Sequence, residues 1–206
     1  MKKTILFGGS GFLGHTFLKE HNDIISIGRT NPSTVDSDIK NTHITLPDFD
    51  NLSILDDIEF DNVIFLVGNS NHHEINSQCM MGIEYNVIPL KKILYYLQKR
   101  KINKFVCFTS ILLYGDKPKG RPVNEQDEIY PYQNEYIFSK YLAEQIVEFY
   151  KTSIPIINIR LSNIYGETAL IRPDFAPTLI RDVLTKKIQL FGILNLREIL
   201  FTLKMQ

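Results

Sequence analysis

Seven residues near the N-terminus constrain this chain more than any others. Gly8-Gly9-Ser10-Gly11-Phe12-Leu13-Gly14 follows a short β-prone run, residues 4–7, and opens a stretch where Phe12, Leu13, Thr16, Phe17 and Leu18 recur at helical spacing. In a strand-to-helix turn each glycine has a use. Gly8 permits the tight turn, Gly11 lets an anionic group approach the backbone, and Gly14 lets the helix pack closely on the strand. The N–H groups of the loop and of the first helical residues, Phe12 and Leu13, then face a pyrophosphate. Glycine triplets are common in turns; the position between a strand and a helix is what predicts dinucleotide binding here.

The rest of the chain alternates in the same way. Residues 24–27 form a second apolar run, stopped by Gly28 and the turn at Asn31-Pro32. Residues 42–46 are a third strand candidate. Residues 63–67 are apolar without alternation, as a parallel strand covered on both faces requires. Residues 83–99 read as one amphipathic helix carrying Ile88, Leu90, Ile93, Leu94 and Leu97, with Pro89 as a point where it would kink. A strand at 104–109, a helix at 135–150 and a strand at 154–161 follow. This order predicts an α/β fold, a Rossmann-type doubly wound parallel sheet with helices on both faces. A length of 206 residues suits one such domain with a small appendage.

Composition excludes several partners. Lys plus Arg and Asp plus Glu are 23 each, so no broad field draws in nucleic acid or an acidic membrane. Cys79 and Cys107 are too few for a disulfide framework and lack metal-ligand spacing, so no metal is expected; Cys107, inside an apolar run, reads as core. The apolar stretch after Lys2-Lys3 is too short for a signal peptide, and no stretch is long enough to span a bilayer. The expectation is a cytoplasmic protein. His72 and His73 read as surface residues of a polar loop, and Tyr95 and Tyr96 as helix packing.

Tyr136-Ile137-Phe138-Ser139-Lys140 sets a phenol and an ammonium on one face of the helix at 135–150. A phenol with its ordinary pKa near 10 is a poor base at neutral pH. A neighbouring ammonium stabilises the phenolate and makes it a usable acid/base.

Gly-x-x-Gly-x-x-Gly at Gly8, Gly11 and Gly14, the Tyr136–Lys140 helix with Pro131 before it and Ala143-Glu144 after it, and Ser110 four residues before Tyr114-Gly115 together resemble the extended short-chain dehydrogenase/reductases, the NAD-dependent epimerase/dehydratase family. The resemblance runs from about residue 4 to residue 197. It implies Ser110, Tyr136 and Lys140 as catalytic residues, with Ser110 hydrogen-bonded to the substrate oxygen and Lys140 also holding the nicotinamide ribose. It implies cofactor contacts from Gly8, Gly11, Phe12, Leu13, Gly14, Arg29, Asp48, Val67, Gly68, Tyr136 and Lys140. Where the second strand normally ends in a ribose-binding acid stands Gly28, followed by Arg29. A guanidinium suits a 2′-phosphate, so this end of the site favours NADP over NAD, the alternative being a surface arginine after a turn.

The resemblance also implies a nucleotide-sugar substrate and a homodimer formed through the helices at 83–99 and 135–150. Asn163, in Arg160-Leu161-Ser162-Asn163-Ile164-Tyr165-Gly166, and Arg197 correspond to substrate-binding positions. After Ser110 stand Ile111 and Leu112, where sugar-nucleotide 4,6-dehydratases carry an Asp-Glu pair and the epimerase-reductases that make GDP-fucose carry a cysteine. Hydride transfer alone remains: C4 epimerisation or reduction of a keto-sugar. The expected organisation is a cofactor-binding domain over residues 1–166 and the start of a substrate lobe over 167–206. The family continues well beyond this point, and the residues from Glu198 to Gln206 depart from its pattern. The expectation is a C-terminally truncated chain with an out-of-frame tail, and the alternative function is a cofactor-binding protein without turnover, a remnant or a sensor.

Overall fold

Lys3–Phe7 (β1) runs directly into the glycine loop, and Phe12–Glu20 (α1) leaves it. The computed structural model describes residues 3–115 and 121–164, and every described element falls within the compact unit Met1–Ile164. Ile25–Gly28 (β2), His43–Thr45 (β3), Phe60–Phe65 (β4), Lys104–Ser110 (β5) and Ile156–Leu161 (β6) complete a sheet of order β3-β2-β1-β4-β5-β6. All of its pairings are parallel. The chain starts in the middle, winds outward to β3, then returns to the far side of β1 at β4. That reversal between β1 and β4 opens a crevice at the carboxyl ends of the strands, where such folds bind ligands.

β1 shows why the sheet needs two covered faces. Ile5, Leu6 and Phe7 are fully buried, and alternate residues point to opposite layers. Ile5 and Phe7 join one cluster with Leu90, Ile93, Leu94 and Leu97 of Ile88–Leu97 (α4) and with Ala143 and Val147 of Glu135–Tyr150 (α5). Leu6 joins the other, with Leu18 of α1, Ile24 and Ile39. Cys107 is buried in the first cluster, and burial pushes its thiol up to about 12, so it is an inert core residue.

Two sequence expectations change. The helix anticipated over 83–99 is two helices, Met81–Asn86 (α3) and α4, meeting at Val87. Pro89 lies in the first turn of α4, where its missing N–H is harmless, and its ring disfavours a straight continuation from α3. The polar loop holding His72 and His73 contains a short helix, His72–Ser77 (α2), capped by Asn71, whose Oδ1 accepts from Glu74 N, and anchored by the fully buried Ile75. Among the described residues, no helix is long and apolar enough to cross a membrane and no group of three His, Cys, Asp or Glu side chains is placed to hold a metal.

Candidate active site

The glycine loop is pressed onto the sheet from both sides. Gly8 has φ of +91°, and a Cβ there would lie 2.9 Å from the backbone of Leu66 and Val67. At Gly14 a Cβ would lie 2.3 Å from Gly8 O and 2.7 Å from Gly9 Cα, so α1 could not approach the loop with any larger residue. Gly8 N donates to Ile27 O at 2.9 Å, tying the loop to β2. Gly11 is the N-cap of α1 and makes no side-chain cap hydrogen bond, so the helix opens at Phe12 and Leu13 with its positive end at the glycine loop. A pyrophosphate suits this cradle: a positive helix end and, at Gly11, a position where a Cβ would meet only Gly8 O, at 3.4 Å.

At the end of β2, a Cβ on Gly28 would meet nothing nearer than Gly8 N at 3.9 Å, so space remains beside the loop for a ribose. Arg29 is exposed, with its guanidinium 5.0 Å above the Tyr85 ring. Asp48 is exposed at the left-handed Phe49, and its Oδ1 accepts from Asp50 N at 3.2 Å. Lys92 Nζ donates to the Asp48 carbonyl at 3.0 Å. The Asp48 carboxylate thus closes its own turn. Val67 and Gly68 follow Leu66 after β4, and Val67 N lies 2.9 Å from the place of a Cβ on Gly8.

Ser110 ends β5 and opens a single 3-10 turn, Ile111–Tyr114; its Oγ accepts from Leu112 N at 3.2 Å. Tyr136 packs in a small cluster with Leu113 of that turn, Ile137 and Ile75. One turn further along α5, Lys140 places its Nζ 5.5 Å from the Tyr136 ring centroid and 3.5 Å from the position of a Cβ on Gly68. Burial pushes the Lys140 ammonium down to about 8. Ser110, Tyr136 and Lys140 therefore gather at the carboxyl ends of β4 and β5, on the crevice side. Asn163 is exposed just beyond β6, and Arg197 lies outside the described residues.

Three polar side chains that the sequence pattern did not single out hold this arrangement. Asn86 is buried at the end of α3; its Oδ1 accepts from Asn69 N at 2.8 Å and its Nδ2 donates to Ser139 Oγ at 3.0 Å. The turn after β4 is thereby fixed to the helix that carries Lys140. Asn76 Oδ1 accepts from Tyr136 N at 3.0 Å, satisfying a free N–H in the first turn of α5. His72 lies against the Tyr136 ring, centroids 4.0 Å apart, so it is not merely a surface residue of a loop. An asparagine inside an apolar helical run was the one available signal, and it marked Asn86.

Thr109, the residue before Ser110, belongs to a network around a largely buried ion pair. Glu144 accepts from Arg160 at 2.9 Å and 2.7 Å, from Thr109 Oγ1 at 2.7 Å and from Asn158 Nδ2 at 3.1 Å. Arg160 also donates to Tyr114 OH at 2.7 Å. Burial pushes the Glu144 carboxyl up, but the hydrogen bonds from Arg160 and Thr109 more than offset it and hold it below its usual value. The network joins β5, α5, β6 and the turn that Ser110 opens.

This geometry matches known proteins. The chain superposes on UDP-glucuronic acid 4-epimerase from Bacillus cereus, solved with UDP-glucuronic acid and NAD, at a TM-score of 0.76 and 23% identity, over 93% of this chain and 66% of that one. For UDP-N-acetylglucosamine 4-epimerase from Methanobrevibacter ruminantium M1 the TM-score is 0.77 at 18% identity, with the same coverage. For the Bordetella bronchiseptica enzyme WbmH in complex with NAD+ it is 0.71 at 19% identity, over 91% of this chain and 64% of that one. The chain thus spans just under two thirds of the length of these proteins. The expected preference for NADP draws no support from them, since the cofactor named in the first and third is NAD. The sequence model of the NAD dependent epimerase/dehydratase family matches residues 4–202. A glycine cradle at the β1–β4 reversal, a Ser-Tyr-Lys set beside it and a match over nearly the whole chain lead to one conclusion: the protein belongs to the NAD-dependent epimerase/dehydratase family.

Proposed function

We propose that this chain is the NAD(P)-binding part of a nucleotide-sugar epimerase or keto-sugar reductase. Residues 1–166 would form the cofactor domain and residues 167–206 the start of a substrate lobe. The observation that carries the reading is the convergence of Tyr136, Lys140 and Ser110 beside the glycine cradle. The epimerases it resembles support a sugar nucleotide as substrate and NAD as cofactor, while Arg29 leaves NADP as the arm to be tested. When bound, the cofactor supplies the acceptor and donor of a hydride at a sugar carbon.

The chain's own residues handle the proton. Tyr136 takes it from the sugar hydroxyl as a carbonyl forms and returns it when the carbonyl is reduced. Lys140, partly desolvated but still largely charged at neutral pH, stabilises the phenolate and reaches the ribose side through its place beside Gly68. Ser110 accepts from Leu112 N, which leaves its O–H to donate to the sugar oxygen and polarise it. Ile111 and Leu112 offer no proton relay, so elimination of water is not part of the reaction.

A homodimer through α4 and α5 fits the same reading. A groove of about 590 Å³ between these helices is lined mainly by Val87, Tyr95, Leu142, Ile146, Phe149 and Tyr150, with Lys91, Gln98 and Gln145 also lining it, and both Tyr95 and Phe149 are exposed. An apolar face of this kind is suited to a second copy.

Calorimetric titration with NADH and NADPH, followed by incubation with UDP-sugars and detection of C4 epimers or reduced sugars by NMR, tests the proposal. Binding with turnover is expected, and Tyr136→Phe should cut turnover by about 10²–10⁴-fold while leaving cofactor affinity unchanged. Arg29→Ala should weaken NADPH alone if a 2′-phosphate is bound there. Binding without turnover of any sugar nucleotide would favour the alternative, a cofactor-binding protein without catalysis. Binding of neither dinucleotide would refute both.

A further inference from the structure

Among the described residues, Arg29 differs from the other arginines in what its guanidinium binds. Arg100 donates to Leu55 O, Ile58 O and Tyr96 OH, Arg121 is paired with Asp127, and Arg160 is paired with Glu144. Arg29 enters no hydrogen bond and no ion pair among the described residues; its contact is the Tyr85 ring, with the guanidinium carbon 5.0 Å from the centroid. The two side chains come from opposite sides of β1. Arg29 follows Gly28 at the end of β2, where a Cβ would lie 3.9 Å from Gly8 N. Tyr85 precedes Asn86, whose Oδ1 accepts from Asn69 N in the turn after β4. Because β1 lies between β2 and β4 in the sheet, the contact bridges the carboxyl end of β1, where the glycine loop begins. A cation held over a ring face is fixed without using its N–H groups, which stay available to an anion.

We propose that Tyr85 is a positioning residue for Arg29 and through it sets the choice of dinucleotide, holding the guanidinium where a 2′-phosphate on the adenosine ribose would lie. The inference rests on the proposed function, in which that ribose sits beside Gly28, and adds to it a residue from the other side of the crevice. Gly28 leaves no carboxylate at the end of β2 to repel the phosphate or to neutralise Arg29. An exposed arginine samples many rotamers, and ordering it on a ligand costs affinity. The half-buried Tyr85 takes that ordering out of the binding step. NADH carries a neutral hydroxyl in place of the phosphate, so it gains little from a fixed guanidinium.

Calorimetric titration of the full chain with NADPH and with NADH reads this without turnover, and thermal melts show that each variant is folded. The wild type should bind NADPH more tightly than NADH. Tyr85→Leu, which keeps apolar bulk and removes the ring face, should weaken NADPH about two- to tenfold and leave NADH unchanged. Tyr85→Phe keeps the face and should retain the wild-type ratio. In an Arg29→Ala background, Tyr85→Leu should have no further effect on NADPH. Equal weakening of both dinucleotides in Tyr85→Leu overturns the proposal, since the ring would then serve the cofactor or α3 and not Arg29. Unchanged NADPH affinity in Tyr85→Leu, or a further loss in the Arg29→Ala background, overturns it as well. A wild type that binds NADH at least as tightly as NADPH overturns this proposal alone and leaves the reading of Ser110, Tyr136 and Lys140 standing. Binding of neither dinucleotide refutes the functional reading and this proposal with it.

Discussion

Gly11, the N-cap of α1, and Gly14, in its first turn, stand three residues apart, and alanine at each should fail in opposite ways. At Gly14 the added methyl would sit 2.3 Å from Gly8 O, 2.7 Å from Gly9 Cα and 3.0 Å from Gly8 C, all backbone atoms of the loop that β1 and β2 hold in place. Helix propensity favours alanine over glycine by about 1 kcal/mol. Forcing a methyl into a packed site costs about 1–3 kcal/mol, and contacts with three backbone atoms put this case at the upper end. The net is a loss of about 2 kcal/mol, a fall in Tm of about 4–8 °C for a chain of this size. At Gly11 the methyl would meet only Gly8 O, at 3.4 Å, and φ of −79° suits any residue. Melting should shift by no more than about 1 kcal/mol, the value of an N-cap. The methyl would instead occupy the approach of the pyrophosphate. Losing one charge-assisted hydrogen bond costs about 1.5–3 kcal/mol, a tenfold to hundredfold weaker Kd for NADH. Thermal unfolding by circular dichroism and calorimetric titration read the two quantities separately. A Gly14→Ala chain that melts at or above the wild type, or a Gly11→Ala chain that binds cofactor as before, would refute the account of the loop.

Two further outcomes follow from buried charges. Glu144→Gln should cost about 3–5 kcal/mol, because Arg160 would then face an amide in a largely buried site. The folded pKa of Glu144 lies below its ordinary value of 4.5, so its stabilisation is present above about pH 4.5 and is lost as pH falls through the folded value; melts from pH 3 to 7 should show this acid slope in the wild type and a smaller one in Glu144→Gln. Lys140 runs the other way. Its folded pKa is lowered from 10.5 to about 8, so the unfolded chain binds more protons between those values and stability should rise with pH across them. Lys140→Met should remove that slope and raise stability at pH 7 by about 1–2 kcal/mol after allowance for partial exposure, while weakening cofactor binding. A steeper alkaline slope in the methionine variant would contradict the assigned burial.

The elements that build the sheet were legible because each carries a strong local signal. Residues 63–67 had no polar alternation, and a strand covered on both faces has no reason for any; the observed β4 starts three residues earlier, where Phe60 is buried and pairs with Lys3, and ends at Phe65, while Leu66 N still donates to Phe7 O. The span of α5 coincides with its apolar stripe because Asn134 caps one end, its Oδ1 accepting from Ile137 N, and the pattern of buried residues continues to Tyr150. α2 gave no such signal. Six residues make too few turns for a period, and what holds them is a cap at Asn71 and one buried side chain, Ile75. His72 therefore read as loop polarity, and nothing in the pattern marked Asn76. Their contacts with Tyr136 exist only once α5 is in place, more than fifty residues later in the chain.

The same reasoning separates two kinds of residue within the stretches that resemble the family. Tyr114, Glu144 and Arg160 stand in those stretches as prominently as Ser110, Tyr136 and Lys140, but they bind one another in a network that also takes in Thr109 and Asn158. Their effect on chemistry is indirect. Tyr114 ends the turn that Ser110 opens, Glu144 lies one helical turn beyond Lys140, and Arg160 joins both to β6. A site that requires a phenol, an ammonium and a hydroxyl in register needs the two elements carrying them locked together, and an ion pair with directional hydrogen bonds specifies one register where an apolar contact would tolerate several. On this view a Glu144→Met, Arg160→Leu double variant could recover stability and still misplace Ser110 relative to Tyr136, because what the pair supplies is alignment rather than adhesion.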